Sequence, residues 1–108
     1  MHIRKVLGLA AALHGFSMVA QASQVHVVGQ KDKEFSVEAI TIKVGDEIQF
    51  ENQDPYFHNV FSLSDEAFFD LGSFPQGQSK TVKFEEAGEI HVECAIHPNM
   101  KLTVNVEG

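Results

Sequence analysis

From Gln24 onward apolar residues recur at every second position, the period of a strand that buries one face. Val25 and Val27 alternate with His26 and predict a first strand that turns the valines inward and leaves the histidine on the surface. Gly29 to Lys33 is a polar turn, after which Phe35, Val37, Ala39 or Ile40, and Ile42 continue the pattern. Gly45-Asp46 is a hairpin signal, and beyond it Ile48 and Phe50 alternate with Glu47, Gln49 and Glu51. Asn52-Gln53-Asp54-Pro55 reads as a loop. Tyr56-Phe57 lead back into a strand running through Val60, which puts His58 where a loop enters a strand.

Ser62 to Gln78 is the least regular stretch. Phe68-Phe69 and Leu71 are too apolar for a free loop, while Gly72, Pro75 and Gly77 exclude a long helix; a connection crossing between sheets is expected, with Phe74 and Pro75 near one end of the fold. Alternation returns in Ser79 to Phe84, with Val82 and Phe84 inward and Lys80 and Lys83 outward. Glu85 to Gly88 turns the chain. Ile90, Val92 and Cys94 then share one face, His91 and Glu93 the other, and Leu102, Val104 and Val106 form a last strand. Half-buried strands with polar outer faces predict an all-β sandwich.

Residues 1–22 follow different rules. Arg4 and Lys5 precede an apolar run from Val6 to Ala20, and Ala20-Gln21-Ala22 is a small-x-small cleavage signal, the layout of a secretory signal peptide. The run is too interrupted, by His14, Gly15 and Ser17, for the roughly 20 apolar residues of a membrane span. The expected organisation is a leader over 1–22 and one domain over 23–108, exported and not inserted in a membrane. Removing the leader changes the net charge from −7 to −9, since Arg4 and Lys5 leave with it.

Composition narrows the function. A chain of 108 residues holds one domain, and its acidity makes nucleic acid an improbable partner. Acidic residues gather at Asp65, Glu66 and Asp70 and at Glu85, Glu86 and Glu89, which would steer the protein towards basic partners or simply keep it soluble. A single cysteine in an exported chain cannot pair internally. Protection as a metal thiolate is one resolution.

The chemistry concentrates in Cys94-Ala95-Ile96-His97-Pro98-Asn99-Met100. Soft sulfur with histidine nitrogen suits copper, and two histidines, one cysteine and a weak axial methionine make the blue-copper arrangement. The loop is one histidine short. His58 is the candidate for it, because His2 and His14 leave with the leader and His26 and His91 lie on outer faces. Pro98 stiffens the turn after His97, and Met100 is the only methionine left after cleavage.

Cys94-x-x-His97-x-x-Met100, with His58-Asn59 upstream, resembles the copper loop of cupredoxins of the plastocyanin/azurin family, and its short histidine-to-methionine spacing is most similar to amicyanin-type small blue copper proteins. The resemblance spans about residues 24–107. It implies a Greek-key β-sandwich of about eight strands, one type 1 copper held by His58, Cys94, His97 and Met100, and a non-enzymatic, monomeric electron carrier of the periplasm. It further implies that Asn59 ties its strand to the backbone beside the cysteine and that His97 is the electron route, with Pro55, Phe57 and Pro98 as an apolar collar. By analogy, a dehydrogenase would be the donor and a c-type cytochrome the acceptor.

Other readings fit less well. A cysteine-histidine enzyme needs an orienting group and a cleft, and nothing in the chain marks a substrate pocket. A periplasmic copper carrier, chaperone or storage protein is the stronger alternative, although the methionine- or histidine-rich tracts it favours are missing. Methionine is a poor zinc ligand. Attached c-type haem and iron–sulfur clusters both need more than one cysteine or a different spacing.

Overall fold

The computed structural model describes residues 22–108; the expected leader, through Gln21, lies outside the described residues. Nine strands follow in order: β1 (Val25–Lys31), β2 (Glu34–Phe35), β3 (Ala39–Lys43), β4 (Glu47–Asn52), β5 (His58–Ser64), β6 (Ala67–Phe74), β7 (Ser79–Lys83), β8 (Gly88–Glu93) and β9 (Lys101–Glu107). They form a sandwich of two sheets, ordered β2-β1-β4-β7 and β3-β9-β8-β5-β6. The pairs β1–β4 and β3–β9 are parallel and the rest antiparallel, the Greek-key arrangement expected of a cupredoxin.

The core lies between the sheets and is built from the predicted alternation. Ile48, Phe50, Ile90, Val92, Leu102 and Val104 are all essentially inaccessible; Phe74 is buried with them, and Phe35 packs edge-on against Phe50 and Phe69 against Phe84.

Three local expectations are corrected. Gly45-Asp46 makes a tight corner, with Gly45 at φ 97°, but β3 and β4 belong to different sheets, so it is no hairpin. Turn chemistry reports a positive φ, not which strands pair. The first strand has the opposite phase: Val25 and Val27 are more than half exposed while Val28 is buried, and His26 is half-buried, its Nε2 3.0 Å from Asp46 Oδ2. Residues 62–78 are mostly strand, not crossover. The antiparallel pair β5–β6 runs through them, with Leu63 opposite Phe68 and a bulge between Asn59 and Phe61. Ala67, Phe69 and Leu71 face inward, a regular alternation masked in sequence by the adjacent, exposed Phe68. Splitting the 35–42 stretch into β2 and β3 and gaining β6 brings the count to nine.

Candidate metal centre

The site grows from two strand ends. In β8 the alternation that buries Ile90 and Val92 carries on to Cys94, which is 1% exposed, one residue past the strand. The chain then curls and re-enters the sheet at Lys101; a bond from Met100 N–H to the His97 carbonyl (2.9 Å) closes the turn around Pro98. His58 opens β5, opposite Phe74 of β6. Because β5 is hydrogen-bonded to β8, His58 and Cys94 meet at the same end of neighbouring strands although 36 positions apart.

Three of the four predicted site residues converge. Among the described residues, His58, Cys94 and His97 form the group whose potential ligand atoms lie within 4.8 Å of one another. Cys94 Sγ is 3.8 Å from His58 Nδ1 and 3.9 Å from His97 Nδ1, and the two Nδ1 atoms are 3.1 Å apart. The circumradius of a triangle with those sides is about 2.1 Å, so one point lies at a metal–nitrogen bond length (about 2.0–2.1 Å) from both imidazoles and near bonding distance from the sulfur. The donor set and its spacing therefore fit a single ion. Met100, the fourth residue, is buried at the end of the same loop.

The nitrogen that faces the triangle is selected from behind. His58 is fully buried, and its Nε2 donates to Asp54 Oδ2 at 2.7 Å, which leaves the Nδ1 lone pair for a ligand. Asp54 also accepts from the backbone N–H groups of Asp32 (2.7 Å) and Lys33 (3.1 Å). Both donors sit at the tip of the β1–β2 hairpin with positive φ. Burial raises the Asp54 pKa, but the bonds from His58, Lys33 and Asp32 outweigh it and hold the carboxyl below its ordinary value. Burial, with the neighbouring His58 and Lys33, lowers the His97 pKa, favouring the neutral ring a metal requires.

Two further side chains tie the frame. Asn52, wholly buried, donates from Nδ2 to the carbonyls of Tyr56 and Phe74 (2.9 Å each) and accepts the Asp54 N–H at 2.8 Å, fixing the loop that carries Asp54. Asn59 Oδ1 accepts the Ala95 N–H at 2.8 Å, the expected link between the β5 end and the cysteine loop.

Pro55, Phe57, Ile96 and Pro98, close in sequence to the candidate ligands, are all exposed, and the ring centroid of Tyr56 lies 5.4 Å from that of His58 and 5.5 Å from that of His97. Sequence reasoning missed Asp54 and Asn52, which sit in a stretch read as loop, and Tyr56, read only as part of the lead into the next strand. A signal was present for one of them: Asp54 precedes a candidate ligand by four positions, within reach of its imidazole.

A β-sandwich with a buried Cys-His-His triangle at one end and a methionine closing the ligand loop defines the cupredoxin class. The profile of the copper binding proteins of the plastocyanin/azurin family matches residues 22–107, and the chain belongs to that family. It is 29% identical over 105 residues to the methylamine utilization protein MauL of Methylorubrum extorquens, covering 93% of this chain and 88% of that one. The crystal structure of amicyanin from Paracoccus versutus superimposes with a TM-score of 0.70 and 29% identity over 77% of this chain and 81% of amicyanin. The copper-containing nitrite reductase of Thermus scotoductus aligns with a TM-score of 0.72 at 21% identity, and this chain spans about a quarter of its length (24%, against 87% of this chain); that likeness is one of fold. The chain is thus an amicyanin-like member of a copper-binding, electron-transfer family.

Proposed function

We propose that His58, Cys94 and His97 bind one copper ion with Met100 as its weak axial partner, and that the protein, freed of residues 1–22 in the periplasm, shuttles single electrons between larger redox proteins. The observation that carries this reading is the triangle itself, whose centre lies about 2.1 Å from all three donors.

The bound ion would supply a one-electron couple. The chain's own part is to hold its donors still. His58 is clamped by Asp54, Cys94 is anchored by the β8 strand and by the Asn59–Ala95 bond next to it, and Pro98 stiffens the His97 turn. Donors that cannot move keep one geometry in both oxidation states, so little rearrangement opposes transfer. The family position supports a carrier over an enzyme. By analogy with the amicyanin-like loop, an amine dehydrogenase is the donor and a c-type cytochrome the acceptor; the name of the MauL relative agrees with amine metabolism.

Adding copper(II) to the purified mature protein tests this. An intense visible charge-transfer band, bleached by reduction and lost in Cys94→Ser, is expected. A colourless protein that retains only copper(I) would overturn the shuttle and leave a carrier or storage role.

A further inference from the structure

We propose that Tyr56 is a second exit for electrons from this site, joining the buried His58 to the surface beside His97, an inference that rests on the copper-shuttle reading above. Three rings form one stack of contacts at the metal end. The His58 and His97 centroids are 4.8 Å apart, and Tyr56 lies 5.4 Å from the first in a T-shaped contact and 5.5 Å from the second in a tilted one, all within the range of direct aromatic contact. Tyr56 therefore touches both imidazoles at once.

Exposure sets the direction of the path. His58 is fully buried and His97 half-buried, whereas Tyr56 is 36% exposed. A buried ligand ring can couple to the surface only through a group in contact with it, and for His58 Tyr56 is such a group. The tyrosine is also held in place. Its carbonyl accepts from the buried Asn52 amide, and Lys33 Nζ sits 5.7 Å from the ring centroid, a cation–π position. The electron simply passes between the partner's centre and the site across the ring; no bond is made or broken.

This assigns Tyr56 a role distinct from that of the exposed Phe57, Ile96 and Pro98, which can bury against a partner but do not form the ring contacts with both histidines that Tyr56 does. The partner face it fits is flat and apolar enough to lie against an aromatic ring, with an acceptor or carboxylate near Lys33.

The chain contains one tyrosine and no tryptophan, so its emission under near-ultraviolet excitation above the phenylalanine band belongs to Tyr56 alone. Loading the protein with copper should quench that emission strongly; unchanged emission in a protein that shows the visible band overturns the proposal. The second arm measures electron self-exchange between oxidised and reduced copper-loaded protein. Tyr56→Leu removes the ring that touches both imidazoles, so the rate should fall several-fold while the visible band and the potential stay put. Tyr56→Phe should keep the rate. An unchanged rate in Tyr56→Leu, or a shifted band or potential that reveals a merely structural role, sinks the inference. A wild-type protein with no visible band would instead remove the shuttle reading beneath it.

Discussion

At the scale of single residues, the site depends on groups that touch its donors from behind. Asp54→Ala takes the acceptor from a buried imidazole N–H and from two hairpin amides. A loss of about 2–3 kcal/mol of stability is expected, and copper affinity should drop about 10- to 100-fold, as for other partners that orient metal ligands; chemical denaturation and competitive copper titration read the two. Asn59→Ala removes one bond to the Ala95 amide and should cost about 1 kcal/mol, or roughly 4–8 °C in Tm, while leaving metal binding intact. Gln30 presents the opposite case. It is fully buried in the sandwich, and neither amide atom has a hydrogen-bond partner among the described residues. Gln30→Met should stabilise the protein by about 1 kcal/mol, and a lower denaturation midpoint in that variant would contradict this account.

At the scale of elements, what joins strands was harder to read than the strands themselves. Asp46 illustrates it. At the corner between β3 and β4 its carboxylate accepts from His26 of β1 and from the backbone N–H groups of Gln24 and Lys43, pinning the start of β1 to the opposite sheet's exit. Those bonds, the one from His26 foremost, lower its pKa from 3.8 to about 2. A carboxyl depressed in the folded state contributes stability that is present above its unfolded value and lost as pH falls through the folded one. Melting temperature should therefore decline between about pH 4 and pH 2, and Asp46→Asn should flatten that decline. The residue pattern of Ile48 and Phe50, or of Ile90, Val92 and Cys94, was legible because each strand buries one clean face. The phase of β1 was not, since its valines at 25 and 27 cover the outer surface. Likewise β6 hid behind two adjacent phenylalanines, of which Phe69 packs on Phe84 while Phe68 is 74% exposed.

At the scale of the whole molecule, charge and metal act together. The chain carries a net charge of −7, and transfer to a basic redox partner should slow as ionic strength rises, because added salt screens the attraction that brings the two together. A rate independent of salt would leave the acidic residues a role in solubility alone. A ligand that binds the folded state and not the unfolded one raises stability by mass action, so copper loading should raise Tm, with the increment shrinking in Asp54→Ala.

Local information in the chain was enough for the strand period, the sandwich class and the ligand loop, because alternation, a Cys-x-x-His-x-x-Met spacing and a stiff proline are properties of neighbouring residues. It was enough, too, to single out His58, since chemistry demanded a second imidazole and few were eligible. Only the tertiary structure could decide that β3 and β4 part to different sheets, that a loop aspartate clamps His58 while two hairpin amides clamp the aspartate, and that Tyr56 lies against both histidines. Each of these is a contact between groups distant in sequence or hidden within a turn, and such contacts are set by how two sheets stack, which no local pattern encodes.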